Sequence, residues 1–259
     1  MGTRNYKSIF ILHIYAFSIF DAKPKYSIDK DEIERKGYAG PGFGIYELET
    51  GIFETLAQAE KQIRKLANGD DIYSFLVEEK PVGGTFYTED ALSRRRYLKD
   101  GKLWQKCDVS SVRCFNGKDV DLGEVNFYGR NPQTLPFKEG DIVEIAYNDY
   151  ARLAIIWKLP PSVDYMKTIW DQHKKLCKKN PLSSRVHPDE SEDAYTILFY
   201  YVDKDGEISH DVMHAAVYET LPLSFPVSRK SAAELRRRLE KFKDEYERYE
   251  DECGDVIPF

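Results

Sequence analysis

Three turn signals, each between two candidate strands, constrain the fold of this 259-residue chain more than any other feature. They are Lys99-Asp100-Gly101, Asn148-Asp149-Tyr150 and Asp205-Gly206. Turn residues of this kind between two strand-like runs are typical of β-hairpins. The predicted strand pairs are Arg94 to Leu98 with Lys102 to Cys107, Asp141 to Tyr147 with Arg152 to Trp157, and Ala194 to Val202 with a partner between Ile208 and Tyr218. Much of the chain is therefore expected to be antiparallel β-structure.

The central segment, residues 91–160, is expected to form a small antiparallel barrel. Two of the hairpins and a further candidate strand, Glu124 to Tyr128, place five strands within about 65 residues. The stretch Phe137 to Ile145 resembles the first strand of SH3-like barrels, in which a Gly-Asp turn opens a strand of alternating apolar residues. This resemblance covers one hairpin and implies an SH3-like barrel.

The first ninety residues predict a β-β-α-β unit. Ile9 to Phe20 is apolar, β-branched and aromatic, which indicates a buried strand; twelve residues are too few to cross a bilayer as a helix. The polar stretch Asp21 to Lys36 is expected to be a loop, and Ile45 to Glu49 a second strand. A helix then follows, because Thr55 and Gln58 form a capping box ahead of the apolar stripe Leu56, Ala59, Ile63 and Leu66. Ile72 to Glu79 is the third strand.

Residues 161–259 predict a helix, a few strands and a final helix. Ser162 caps the first helix, and Ser231 with Glu234 forms a capping box for the last one. The apolar residues of the last helix have a 4-3-4-3 spacing and are Leu235, Leu239, Phe242, Tyr246 and Tyr249. This seam is expected to dock on the protein's own sheet, with pairing between two chains as the alternative. The whole chain is accordingly predicted to be an α+β protein.

Composition and missing motifs narrow the function classes. The chain carries 38 basic and 44 acidic residues, a net charge of −6, which argues against a general nucleic-acid coat. Four scattered cysteines do not make a disulfide scaffold, so a cytoplasmic protein without a membrane anchor is expected. The sequence lacks the glycine-rich phosphate-binding motifs and the G-x-S-x-G nucleophile motif. No cofactor is therefore expected.

Residues 91–160 form the net-positive part of the chain, with 12 basic and 9 acidic groups. Here arginines alternate with aromatic residues, a pattern that binds an acidic peptide in an aromatic-lined groove or stacks the bases of a single-stranded nucleic acid. The structural alternative is that the aromatics fill the barrel core while the arginines pair with nearby carboxylates. The predicted contact residues are Arg94, Arg96, Trp104, Tyr150 and Arg152, with charge pairing assigned to the arginines and stacking to the aromatics.

The run His210-Asp211-Val212-Met213-His214 raises a metal site as a second hypothesis. On a helix, His210 and His214 lie one turn apart and share an ion, as paired histidines do in metalloproteases. His187 and Asp193 are close enough in sequence to complete such a site. The alternative is a strand or turn, in which residues four apart are too distant for one ion.

Five segments resemble a family of uncharacterised bacterial proteins with no assigned activity. These segments are Phe53 to Ala67, Phe127 to Ile145, Asp193 to Leu198, Ser209 to Val217 and Phe225 to Phe242. The resemblance implies a soluble bacterial protein and transfers no site. The leading functional prediction is a non-catalytic binding or adaptor protein that recognises a protein or peptide through its central barrel. A metal-dependent hydrolase or nuclease at His210, Asp211 and His214 is one alternative, and a nucleic-acid-binding accessory protein is the other.

Overall fold

The computed structural model describes residues 8–18, 23–82, 93–108, 111–113, 119–121, 135–147, 149–160, 194–217 and 219–253. Within these ranges the chain forms twelve strands and three helices. The helices are α1 (Lys30–Lys36), α2 (Leu56–Leu66) and α3 (Arg229–Cys253). The strands are β1 (Ser8–Phe17), β2 (Gly42–Phe53), β3 (Ile72–Pro81), β4 (Ser93–Leu98), β5 (Leu103–Asp108), β6 (Ser111–Arg113), β7 (Asp119–Asp121), β8 (Ile142–Tyr147), β9 (Tyr150–Lys158), β10 (Ala194–Val202), β11 (Ile208–Ala216) and β12 (Thr220–Leu221).

Ten strands belong to one antiparallel sheet, and β6 and β7 pair separately. The main order is β11-β10-β9-β2-β1-β3-β4-β5, with β8 beside β9 and β12 beside β8. From β12, the wall runs through β8, β9, β2, β1, β3 and β4 to β5. It curls until β5 meets β12, where the indole Nε1–H of Trp104 donates to the carbonyl oxygen of Thr220 at 2.8 Å. The result is a nearly closed, barrel-like sheet.

Strand β9 is the branch point of this sheet. One of its edges pairs with β8, while the other pairs with β2 near Arg152 and with β10 from Ala154 onward. Strands from each of the three predicted segments therefore share one continuous sheet. β9 is almost wholly buried because both of its faces are covered: Leu153 and Trp157 lie in the barrel interior, and Ile156 lies in an outer apolar cluster.

Two helices cover this framework. Helix α2 buries Ala59 and Ile63 against β1, β3 and β4, outside the barrel. Helix α3 packs Leu235 and Leu239 into the interior cluster, and Trp157 contacts Phe242 and Tyr246 with ring centroids 4.9 and 4.7 Å apart. The predicted docking of α3 on the protein's own sheet is confirmed at Leu235, Leu239, Phe242 and Tyr246, whereas the side chain of Tyr249 lies outside the description.

Most local predictions are confirmed. The three hairpins, the first strand and helix α2 with its Thr55–Gln58 capping box are all present. The chain is mostly antiparallel β with three helices in the described ranges, which agrees with the α+β class in its coarse form. The candidate strand Glu124 to Tyr128 and the helix at Ser162 lie outside the described residues. In those described, no helix is long and apolar enough to cross a membrane.

Two local predictions are wrong. The supposed loop Asp21 to Lys36 contains helix α1, in which the Asp29 carboxylate accepts a hydrogen bond from Glu32 N and Gly37 closes the end at φ 67°. Seven residues are too few to show an apolar period, so only the caps signal this helix. Helix α3 is capped by Ser228, whose hydroxyl accepts from Ser231 N at 3.1 Å, rather than by Ser231 itself.

Candidate functional site

The five predicted contact residues do not share one surface. Arg94 and Arg96 alternate with Arg95 on β4 and face the barrel interior, while Arg95 faces outward. Trp104 is the side chain that joins β5 to β12. Tyr150 and Arg152 lie on the outer face of β9, on the side of Ala154 and Ile156. The sheet thus separates two regions, one on the outer face and one inside the barrel.

On the outer face, four side chains form what we call the Arg152 strip: Tyr150, Arg152, Phe199 and Tyr201. The guanidinium carbon of Arg152 lies 5.7 Å from the ring centroid of Tyr150 and 5.4 Å from that of Phe199. Phe199 in turn contacts Tyr201, with centroids 5.7 Å apart. Tyr150 is 52% exposed. The half-buried arginine thus contacts two aromatic rings, one of which is exposed.

Two local contacts fix the ends of this strip. A Cβ at Gly42 would lie 2.8 Å from the carbonyl oxygen of Ala151, so only glycine allows β2 to approach β9 this closely beneath the strip. At the other end, the side chain of Tyr201 hydrogen-bonds to Asp211, which raises the pKa of the tyrosine. Among the described residues, no carboxylate makes an ion pair with Arg152.

Inside the barrel, Arg96 is the first unusual feature. Its side chain is buried, with 3% of the residue exposed. One terminal nitrogen donates to the Ser74 hydroxyl at 3.2 Å, and the guanidinium lies 5.1 Å from the ring centroid of Tyr15. The buried Nε has no hydrogen-bond partner. A buried guanidinium without a carboxylate is costly, so its presence requires an explanation.

Beside Arg96 on the inner face lies a network of paired charges. Nδ1 of His13 lies 3.0 Å from the Glu47 carboxylate, and its Nε2 lies 3.4 Å from that of Glu78. Burial works to lower the pKa of His13, but Glu78 and Glu47 outweigh it and the pKa is raised. Glu78 also accepts from Arg94 Nε at 3.0 Å. Burial works to raise the pKa of Glu78, but His13, Arg94 and Lys80 together lower it to about 2.

Deeper in the interior, Glu144 on β8 forms the third feature, which we call the Glu144 cluster. Its fully buried carboxylate accepts hydrogen bonds from Tyr26 at 2.6 Å and from Tyr73 at 2.5 Å. It also accepts from the Ser224 backbone amide at 3.1 Å and from the Ser224 hydroxyl at 2.9 Å. Burial raises the pKa of Glu144, and the four donors act in the opposite direction. These donors occupy both oxygens, so the carboxylate needs no further partner.

The residues of the metal hypothesis do not converge. They lie on strand β11, where His210 and His214 are about 13 Å apart along the chain. Asp211 points to the opposite face, since it pairs with Phe199 whereas His210 pairs with Tyr200. In the part of the chain that the structure describes, no group of three His, Cys, Asp or Glu side chains is placed to hold a metal. His187 and Asp193 lie outside that part.

Sequence reasoning missed several residues of both regions. Glu144 carries a usable signal, because it is the one charge in the otherwise apolar run Ile142 to Ala146. Phe199 and Tyr201 lie two residues apart on β10, and in the sequence this spacing indicates only a strand. His13 lies inside the first apolar run, where its role depends on carboxylates from β2 and β3.

Comparisons of the chain with protein-family models, with curated proteins and with solved structures give no match. They support no named family, so the functional argument rests on the chemistry of the described residues.

Proposed function

We propose that this protein is a non-catalytic binding protein that recognises an acidic segment of a partner protein through the Arg152 strip. The observation that carries the proposal is the guanidinium of Arg152, held between the rings of Tyr150 and Phe199 without a carboxylate among the described residues. Of the five predicted contact residues, the proposal retains Tyr150 and Arg152, and it adds Phe199 and Tyr201.

The chemistry of the strip suits protein recognition. Arginine and tyrosine are enriched at the residues that contribute most to protein–protein affinity. Stacking on rings restricts the arginine before a partner arrives, so less side-chain entropy is lost on binding. The guanidinium edge that the rings leave free can donate two parallel hydrogen bonds to a carboxylate. An Asp or Glu on the partner is therefore its natural counterpart.

A nucleic acid fits this surface less well. Binding to a phosphate backbone requires several cations along the groove, whereas the strip holds one arginine and is flanked by Asp211. The chain as a whole has a net charge of −6, which repels a polyanion. A single carboxylate flanked by apolar side chains avoids this repulsion. Two statements remain predictions: that the β8–β9 hairpin belongs to an SH3-like barrel, and that the protein is located in a bacterial cytoplasm. The proposal does not depend on either.

The test uses fluorescence anisotropy with a labelled short peptide in which a single Glu is flanked by aromatic residues. We expect saturable binding to the wild-type chain, and Arg152→Glu should weaken it by roughly tenfold or more. Arg236→Glu is the matched control, because Arg236 is an exposed arginine on α3 that lies away from the strip. It makes the same charge change and should leave the affinity within about twofold of wild type.

Two outcomes count against the proposal. Equal losses in Arg152→Glu and Arg236→Glu would show that only overall charge matters. Binding of a labelled oligothymidine that is tighter than peptide binding and falls steeply with salt would replace the protein partner with a single-stranded nucleic acid.

A further inference from the structure

The inner face of the barrel contains a second group of residues with unusual surroundings, independent of the Arg152 strip. Arg96 and His13 lie in one cross-strand row, since Arg96 pairs with Leu76 on β3 and Leu76 pairs with His13 on β1. Nε2 of His13 has an ion-pair contact with the Glu78 carboxylate at 3.4 Å, whereas the buried Nε of Arg96 has no hydrogen-bond partner. An unpartnered atom of this kind is unusual, because buried polar atoms are almost always hydrogen-bonded.

The neighbouring carboxylates do not compensate Arg96. Glu144 is occupied by the hydroxyls of Tyr26 and Tyr73 and by Ser224. Glu78 is taken by Arg94, Lys80 and His13, and no ion pair to Arg96 occurs within the described residues. The cation–π contact with Tyr15 offsets only part of the cost of burying an unpaired charge.

We propose that Arg96 is the buried cation of a site for an oxyanion, the carboxylate or phosphate group of a small ligand held inside the barrel. The unpartnered Nε and the adjacent terminal nitrogens of a guanidinium form the fork that binds two oxygens of such a group. The Ser74 hydroxyl already fixes one terminal nitrogen, and the Tyr15 ring fixes the plane. The Tyr15 hydroxyl makes no hydrogen bond with the residues described and is free to donate.

The ion pairs of this region single out Arg96 as the group that is able to bind such a ligand. Lys80, Arg94 and His13 share this part of the inner face with the carboxylates of Glu47 and Glu78, and burial together with the charge of Glu219 raises the pKa of Tyr15. Among the described residues, Lys80, Arg94 and His13 each have a carboxylate partner, whereas Arg96 has none. The next row toward the strand ends contains Ile52, which is 69% exposed. Arg96 therefore lies two residues along the strands, about 7 Å, from the row that contains this exposed side chain.

The first experiment measures thermal unfolding of the whole chain in chloride, acetate and phosphate at equal ionic strength. We expect the wild-type Tm to rise with the logarithm of oxyanion concentration in acetate, in phosphate or in both, and to stay level in chloride, as mass action requires for a ligand of the native state. A response to acetate alone identifies a carboxylate ligand, and a response to phosphate alone identifies a phosphate ligand.

The variants make the assignment specific. Arg96→Met should abolish the oxyanion response and, in chloride, should not lower Tm, because it removes an uncompensated charge and keeps the side-chain volume. Arg95→Met is the matched control, since Arg95 lies next in sequence but faces outward and pairs with Glu79. It should keep the full oxyanion response whatever its own Tm.

The proposal is overturned if oxyanions raise Tm no more than chloride does, or if Arg96→Met shows the wild-type response. If Arg96→Met does not fold, titration calorimetry with phosphate and acetate compares the wild type with Arg96→Lys. Lysine retains the charge and loses the fork, so at least a fivefold weaker affinity is expected, roughly 1 kcal/mol. Equal affinities would refute a site built on the guanidinium.

Discussion

Two of the buried charges of the barrel interior, Glu144 and Arg96, have opposite kinds of surroundings. The carboxylate of Glu144 receives four hydrogen bonds, from two tyrosines and from the backbone and side chain of one serine. The guanidinium of Arg96 has one hydrogen bond and one aromatic ring. Both side chains lie inside the same sheet and both are almost free of solvent contact.

Glu144 is therefore expected to stabilise the fold, whereas Arg96 is able to bind a ligand. A fully satisfied buried network fixes the positions of its members, because any shift leaves a polar atom without a partner. An incompletely satisfied buried group raises the energy of the unliganded protein, and such departures from local consistency are expected at functional sites. Experiments that move the two regions in opposite directions test this distinction.

The largest expected effect concerns Glu144. Glu144→Ala should lower the free energy of unfolding by about 3 to 5 kcal/mol, because it leaves the hydroxyls of Tyr26 and Tyr73 buried without an acceptor. Urea denaturation followed by tryptophan fluorescence measures this loss. Glu139→Ala, at an exposed glutamate on the turn before β8, is the control and should change stability by less than about 0.5 kcal/mol. A loss below about 1 kcal/mol in Glu144→Ala would contradict the organising role of the cluster.

The next effect is the response of the Arg96 neighbourhood to acid. Glu78 has a folded-state pKa of about 2, below its ordinary value of 4.5, so its stabilisation is complete above pH 4.5 and is lost as the pH falls toward 2. The loss should reach about 3 kcal/mol, from 1.36 kcal/mol per unit of pKa. Glu144 acts in the opposite sense, because its pKa is raised, and acid relieves the cost of burying its charge. Unfolding free energies from pH 6 to pH 2 should therefore depend less on pH in Glu78→Gln than in the wild type. An unchanged slope would show that Glu78 does not carry this dependence.

The smallest effect compares two tyrosines across the interior. Tyr73→Phe removes a donor to a buried carboxylate and should cost about 2 kcal/mol. Tyr15→Phe removes a hydroxyl that has no hydrogen bond in the described structure and keeps the ring under Arg96, so it should cost less than about 0.5 kcal/mol. Chemical denaturation of the two variants side by side gives the comparison. Similar costs would mean that the Tyr15 hydroxyl already has a structural role and is not available to a ligand.

Sequence reasoning succeeded where the determinants are local. The hairpins β4–β5 and β8–β9 depend on turn residues that lie next to their strands. Helix α2 shows both its capping box and its apolar stripe within about a dozen residues. Pairings between distant strands, such as Gly42 with Arg152, have no comparable local signal.

The candidate site was harder to predict because it depends on which face each strand presents. Arg94 and Arg152 look alike in sequence as arginines among aromatic residues, yet one faces the interior and pairs with Glu78 while the other lies on the outer face between two rings. A bulge in β3 further changes which of its side chains face inward, because Tyr15 pairs with Ser74 but the next residue, Ala16, pairs with Ile72. The register of strand pairing decides which face of the sheet a side chain occupies, and this register depends on strands that are distant in sequence.

The contact between Trp104 and Thr220 determines where the sheet is expected to open locally. At this seam the described structure shows a side-chain hydrogen bond of 2.8 Å, whereas the neighbouring strands are joined by backbone ladders. Unrolling the wall along this line leaves every ladder intact and exposes the interior without global unfolding. Amide protons near β5 and β12 should thus exchange with solvent well before those of β9, whose two edges are both paired.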